Sequence, residues 1–535
     1  MAKLLSVILT ALLAPISVSA ALYERVIKTQ YGDIQGYPAF NSSPIGNLTH
    51  WRDITVWKGI PFSGTTAGLN RFREPQPASP WNDTLDTSDW GPICPSATSG
   101  PTKFTIDENC LNLNIWSAAN STDARLPVVM WSNPAQSTAA DVLFNGGGMA
   151  DKGIVFVNYN YRTGSFGWLA HPELTAEFYK VSGSNSSGNW SMSDQFAALK
   201  WIRENIAAFG GDPEHITVMG QSAGSAASQH ILNSPLTKGQ IVGAIIENGV
   251  RDIQDPLCSS VAEAYITLEA SEAEGIEYLA SLNVSTVAEL RSLPMDDLIT
   301  ASGGLNGDAE WMFSATLDYY AMPDTYYNTL VKGLAHNVPI ITGNAKDENG
   351  AVYGINITVA EYLANMTDSF SGKWLERFLV EYPASTSQQA RGAFNAQWTE
   401  RSTVGTWLWA QLWATARTAP VYTYFWDHAP PGQDQGAYHE SEINYVLNNL
   451  YDTTDLPWMA KDYWIADQMN SYWVNFIKTG NPNGVHSAGR QLVEWAATNS
   501  TEVVQHVGNG WGPIPIASQD KIDLFGEWFE TLPYF

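Results

Sequence analysis

Apolar residues gather in short, nearly uninterrupted runs: Leu126 to Trp131, Ile154 to Tyr159, Ile216 to Met219, Ile241 to Glu247 and Val338 to Thr342. Runs this short, without polar alternation, predict strands buried on both faces. Between the second and third, Asp194 to Phe209 places Phe196, Leu199, Ile202 and Ile206 at helical spacing. Strands alternating with helices predict an α/β fold, a large and mostly parallel sheet with helices on both faces. The Trp- and Tyr-rich stretch from Trp374 to Trp426 reads as helical insertions over that sheet, its aromatic stripes more core than pocket. No internal repeat or low-complexity linker breaks the pattern, so residues 21–535 are expected to form a single domain.

The N-terminus departs from this pattern. Lys3, an apolar run from Leu4 to Ile16 broken by Pro15, and small residues at Val18 and Ala20 have the layout of a cleavable secretory signal, with the mature chain starting near Ala21. The run is too short for a membrane span. Asn-x-Ser/Thr occurs at Asn41, Asn47, Asn82, Asn120, Asn185, Asn189, Asn283, Asn356, Asn365 and Asn499, which predicts N-glycosylated surface loops on a secreted, extracellular protein. A formal charge of −26 argues against nucleic acid and anionic lipid as partners. Three cysteines cannot build a disulfide scaffold, so an ordinary hydrophobic core must hold the fold. Cys94 and Cys110 are the natural pair, closing a loop rich in Pro, Ser, Gly and Thr, and Cys258 is left over.

Ile216-Thr-Val-Met-Gly220-Gln-Ser222-Ala-Gly224-Ser is a strand running into Gly-x-Ser-x-Gly and then a small-residue helix start. A serine on such a strained turn needs glycine on either side, because side chains there would collide with the neighbouring strand and helix. Its hydroxyl then stands at the sheet edge beside a helix N-terminus that favours a developing anion. Serine becomes a nucleophile only when a base takes its proton, and in this arrangement an acid and then a histidine follow it in the chain. Of the nine histidines, His336, His428, His439, His486 and His506 lie far enough downstream or close to it. His439 sits in a loop that turns into an apolar segment, whereas its rival His428 ends an aromatic strand. Glu348, directly after a buried run, is the acid candidate, with Asp347 adjacent. His439-Glu440 begins like a zinc motif, but Ile443 stands where the second histidine belongs. Neither a P-loop nor a dinucleotide fingerprint occurs, so no metal and no cofactor is expected.

At these residues the chain resembles the type-B carboxylesterase/lipase family, which includes cholinesterases and fungal lipases, over nearly its whole mature length. Glu108-Asn-Cys110-Leu-Asn-Leu-Asn-Ile, Asn158-Tyr159 to Gly167-Trp-Leu-Ala, Asp194-Gln195, Trp201, Asn205 to Pro213, Lys346-Asp-Glu348 and Phe476 to Asn483 carry the resemblance. It implies an α/β-hydrolase that cleaves a small-molecule ester with the triad Ser222, Glu348 and His439, through an acyl-enzyme. Ala223 would give one oxyanion N–H. Such enzymes follow the Val-Val-x-Trp strand with a glycine-rich loop that supplies the other donors. Here Val128-Val-Met-Trp131 is followed by Ser132-Asn133-Pro134-Ala135-Gln136. Pro134 has no N–H; Ala135 and Gln136 keep theirs but lack glycine's freedom at positive φ. Gly146-Gly-Gly148 reads as a helix or turn end. A loop that fails to aim Ala135 and Gln136 at the site would leave a slow esterase or a non-hydrolytic or acyl-transfer reaction on a specialised metabolite. A hydrolase-fold binding protein is the further alternative, disfavoured because all three triad candidates are present.

Overall fold

The structure, a computed structural model, describes residues 21–46, 48–95, 104–260, 264–301, 311, 313–498 and 502–534. The signal segment, Asn47 and Asn499 lie outside these residues. An eleven-stranded sheet forms the centre. We number its seven consecutively parallel strands β1 Leu126–Ser132, β2 Val155–Tyr159, β3 Gly211–Gln221, β4 Gly243–Glu247, β5 Ile340–Ala345, β6 Val421–Trp426 and β7 Val503–Val507. Their spatial order is β2-β1-β3-β4-β5-β6-β7, and antiparallel strands extend both edges.

The unbroken apolar runs have a direct structural cause. Val128, Met130, Ile216, Val218 and Ile246 face one buried cluster, with Leu199, Trp201 and Ile202. Their neighbours Val129, Trp131, Met219 and Ile245 face the other, with Met469 and Trp473. Side chains alternate across a strand, so a sheet covered on both faces needs apolar residues at every position. The first covering helix, α1 Trp190–Asn205, continues as a 3-10 turn over Ile206–Phe209. It buries Leu199, Ile202 and Ile206 as its spacing predicts, but Phe196 is only partly buried and Trp201 takes the central place.

Chain order runs β1, then β2 on one side, then β3 on the other, so the order in which strands are added reverses between the parallel neighbours β1 and β3. Connections leaving adjacent strands in opposite directions open a crevice at their C-terminal ends, the usual place for a ligand in an open α/β sheet. Ser132 pairs with Gly220 at that edge.

Three expectations need correction. The stretch Trp374–Trp426 is not wholly helical insertion: Lys373–Glu381 and α3 Ser387–Ala416 are helices, but Val421–Trp426 is strand β6. Its alternate residues Tyr422, Tyr424 and Trp426 pack in the core on one face, and β-compatible aromatics defeated the helical reading. Gly146-Gly-Gly148 leads into the helix Gly147–Asp151 rather than ending one. These glycines serve close packing, since a Cβ on Gly148 would lie 2.3 Å from the carbonyl oxygens of Leu447 and Asn448. Asn189 is buried rather than on a surface loop: its side chain donates to Thr316 O at 2.7 Å and accepts from Thr316 N at 2.9 Å. Asn41, Asn82, Asn120, Asn185, Asn283, Asn356 and Asn365 are exposed.

Cys94 and Cys110 are disulfide-bonded, and Cys258 is buried outside any disulfide. Among the described residues no helix is long and apolar enough to cross a membrane. Asp194 on α1 is fully buried and takes Arg162 in a two-pronged pair at 2.7 and 2.8 Å, plus the Arg162 backbone N–H at 3.0 Å. Burial pushes its carboxyl above the ordinary value despite the guanidinium. Asp194→Ala strands a buried cation and is expected to cost about 3–5 kcal/mol, read as the denaturant midpoint at constant m-value.

Candidate active site

Strand β3 ends at Gln221 and the helix α2, Ala223–Asn233, begins at once, leaving Ser222 as the single connecting residue. Ser222 adopts φ 54°, ψ −121°, a backbone conformation that L-residues avoid and that persists only where the surroundings enforce it. They do so by contact. A Cβ on Gly220 would lie 2.2 Å from Gly224 O, and one on Gly224 would lie 2.0 Å from Ser132 O. Both glycines are therefore compulsory, and the residues after β1 lie directly against the start of α2. The Ser222 N–H donates to Glu247 O at the end of β4, at 3.1 Å.

Glu348 follows β5 by three residues and is buried. Its Oε1 accepts the Ala345 N–H at 3.0 Å, and its Oε2 lies 2.8 Å from His439 Nδ1. Asp347 points elsewhere: its carboxylate accepts the Ala437 N–H at 2.8 Å and so fastens the loop carrying His439. The His439 side chain is 40 % exposed, and Gln221, next to Ser222, brings its amide nitrogen within 3.4 and 3.5 Å of the two ring nitrogens. The nucleophile turn, acid loop and histidine loop thus meet at one end of the sheet. Burial pulls the imidazole toward neutrality, but the hydrogen bond and charge of Glu348, with Glu440, outweigh it and raise the pKa above 6.5 against the opposing charge of Arg251.

The other histidines are engaged elsewhere. His428 is buried with Nε2 2.7 Å from Asp462 and Nδ1 3.0 Å from Asn509. His506 lies 3.0 Å from Asp427 and His486 3.1 Å from Asp467, while His336 faces Ser234 O at 3.4 Å.

A carboxylate-held imidazole against a strained strand-to-helix turn that carries a serine fits a serine hydrolase, and residues 23–509 match the model of the carboxylesterase family. The chain belongs to that family. The carboxylesterase is 29 % identical over 504 residues to para-nitrobenzyl esterase of Bacillus subtilis (strain 168), covering 88 % of this chain and 92 % of the relative. It is 30 % identical over 457 residues to fumonisin B1 esterase of Sphingopyxis macrogoltabida, covering 81 % and 80 %. A solved structure of PNB esterase superposes with a TM-score of 0.71 at 26 % identity, covering 94 % of the carboxylesterase and 99 % of that chain. The fold is thus the α/β-hydrolase fold and the activity class carboxylic-ester hydrolysis.

The loop after β1 in this carboxylesterase is held by side-chain contacts. Asn133 is clamped from both sides, its amide donating to Tyr159 O at 3.0 Å and its carbonyl accepting from Tyr161 OH at 2.7 Å. Ser132 and Tyr159 exchange a hydroxyl contact at 2.7 Å, and Ser137 Oγ donates to Pro134 O at 2.7 Å. Between these anchors Ala135 and Gln136 form an exposed turn in which Gln136 takes φ 61°. A non-glycine residue there costs about 1–2 kcal/mol, so the anchored loop imposes a conformation that glycine would adopt freely.

Four residues are specified by no motif and were not singled out from the sequence: Gln221 at the base, Arg251 at the acid, and the buried carboxyl groups Glu247 and Glu442. The available signals were carboxylates in apolar surroundings: Glu247 closes a buried strand, and Glu442 opens the apolar segment after His439.

Proposed function

We propose that this carboxylesterase is a secreted, glycosylated enzyme that hydrolyses small-molecule esters through Ser222, His439 and Glu348. The observation that carries the assignment is the 2.8 Å pairing of His439 Nδ1 with buried Glu348, on a loop that abuts the nucleophile turn. His439 Nε2 takes the Ser222 proton as Oγ bonds to the ester carbon, and the tetrahedral oxyanion collapses as His439 returns that proton to the departing alcohol. Water then attacks the acyl-enzyme with His439 again as base, releasing the acid and restoring Ser222. Glu348 holds the imidazole tautomer and stabilises its charged form. The N–H groups of Ala223, Ala135 and Gln136 take the oxyanion. The packing of Ser132 and Asn133 against the start of α2 supports hydrolysis over the non-hydrolytic alternative, because it keeps the loop beside the nucleophile turn. Family membership sets the binding-protein reading aside.

The seven exposed sequons support export. Neutral carboxylic esters such as p-nitrophenyl acetate and butyrate, rather than nucleic acids or other polyanions, are the substrate class that suits a strongly acidic chain.

A fluorophosphonate probe tests the nucleophile. Ser222 should be the labelled residue, and the labelling rate should fall on the acid side as His439 takes up a proton. Because Glu348 raises the His439 pKa, the midpoint should lie above 6.5, and Glu348→Gln should move it down while slowing the reaction. Folded protein that resists the probe would overturn the assignment.

A further inference from the structure

Behind the acid and base lies a second pair of carboxyl groups that the proposed mechanism does not use. Glu247 closes β4 opposite Gln221 of β3, and its backbone carbonyl holds the Ser222 N–H. Its side chain is fully buried, with Oε1 accepting Trp473 Nε1–H at 2.7 Å. Glu442 stands three residues after His439, at the start of the helix α4, Ile443–Leu447, and is equally buried. Its Oε1 accepts from the amide of Asn248, the residue next to Glu247, at 2.9 Å, and the Asn248 carbonyl oxygen accepts from Tyr424 OH at 3.0 Å. Each carboxyl group therefore receives one side-chain donor on Oε1, and the backbone N–H of Glu442 also acts on its own carboxyl. Among the described residues no hydrogen-bond donor is paired with Oε2 of either. A buried carboxylate with an unmet oxygen is costly, and two such groups whose charges act on each other are costlier.

We propose that Glu247 and Glu442 hold one proton between their Oε2 atoms, an acid–carboxylate pair that positions the Ser222 turn against the His439 loop. One O–H···O bond meets both unmatched oxygens and leaves a single negative charge, the resolution that two crowded carboxyl groups adopt elsewhere. The surrounding charges do not remove the need for the proton. Glu348 and Glu440 add to the repulsion, Tyr424 is neutral, and Arg251 lies on the Glu348 side, 3.9 Å from that carboxylate. His439 faces Glu348 rather than the pair. Burial raises both carboxyl groups well above the ordinary range, and the charge of one raises the other further, so the proton that the pair shares is the last to leave. The pair thus keeps its proton at neutral pH and releases it in the alkaline range. Release places two charges in one dry site and drives Glu442, and with it the loop bearing His439, away from Ser222. Glu247 and Glu442 are positioning residues, and their effect on rate rests on the Ser222–His439 reading.

The test uses Glu247→Gln in the full chain. Glutamine reproduces the singly protonated pair, its carbonyl accepting from Trp473 and its amide donating to Glu442. The fluorophosphonate labelling rate of the wild type should show an alkaline limb. In Glu247→Gln that limb should vanish while the neutral-pH rate stays within about threefold of wild type. Infrared spectroscopy supplies a readout independent of the reaction: a buried carboxylic C=O stretch at neutral pH in the wild type, missing in Glu247→Gln. An unchanged limb in the variant, or no such stretch in the wild type, overturns the proposal. Should Glu247→Gln not fold, Glu442→Gln carries the same comparison. If Ser222 resists the probe altogether, the triad reading fails and the infrared band alone still decides the shared proton.

Discussion

His439→Ala should lower turnover of p-nitrophenyl acetate and butyrate by about 10⁴-fold or more, and Ser222→Ala by a similar factor, because nucleophile and base act as one unit. The contrast that gives this force is His428→Ala. Both histidines follow Glu348 in the chain, and both lie close to a carboxylate. His428, however, is buried with each ring nitrogen against an acceptor, Asp462 at 2.7 Å and Asn509 at 3.0 Å. It has no nitrogen left to receive a proton from serine. His439 spends Nδ1 on Glu348 and sits half-exposed beside the nucleophile turn. His428→Ala should therefore leave kcat within about threefold while lowering stability by about 1–3 kcal/mol, since Asp462 loses a buried partner. Turnover and thermal midpoint measured on the three variants separate the roles, and loss of activity in His428→Ala with an active His439→Ala would reassign the base.

The second large effect belongs to the loop after β1. Ala135→Pro removes a backbone N–H and leaves the rest of the loop's anchors in place. Removal of one oxyanion donor typically slows the chemical step about 10²- to 10³-fold, so kcat should fall by that factor with KM little changed. Gln136→Gly is the companion: it keeps the N–H and relieves the positive φ of 61°, and should retain turnover. Equal kcat for wild type and Ala135→Pro, with the fold intact by circular dichroism, would show that the oxyanion takes its donors from elsewhere.

The parallel strands were legible because a sheet buried on both faces writes itself as apolar runs, and all five predicted runs coincide with β1 to β5 within a few residues. Gly220-Gln-Ser222-Ala-Gly224 was equally legible, since close approach of Ser132 O to Gly224 permits no side chain. Strand β6 reads both as part of the helical insertion and as the aromatic strand that His428 ends, because its aromatic residues suit a buried strand and a buried helix alike. Asn189 was misread because a sequon is a local pattern, whereas burial against Thr316 is a contact between residues far apart in the chain.

The sequence by itself determined the strand-turn-helix that strains Ser222, the disulfide partners Cys94 and Cys110, and the family to which the chain belongs. Each is written in local spacing or in a motif. Only the tertiary structure decided which carboxylate faces which histidine, that Asp347 braces a loop while Glu348 meets His439, and that buried Glu442 is held by Asn248, the residue next to buried Glu247. Those relations join residues from different strands and loops, and burial, which no local pattern records, sets the chemistry of each.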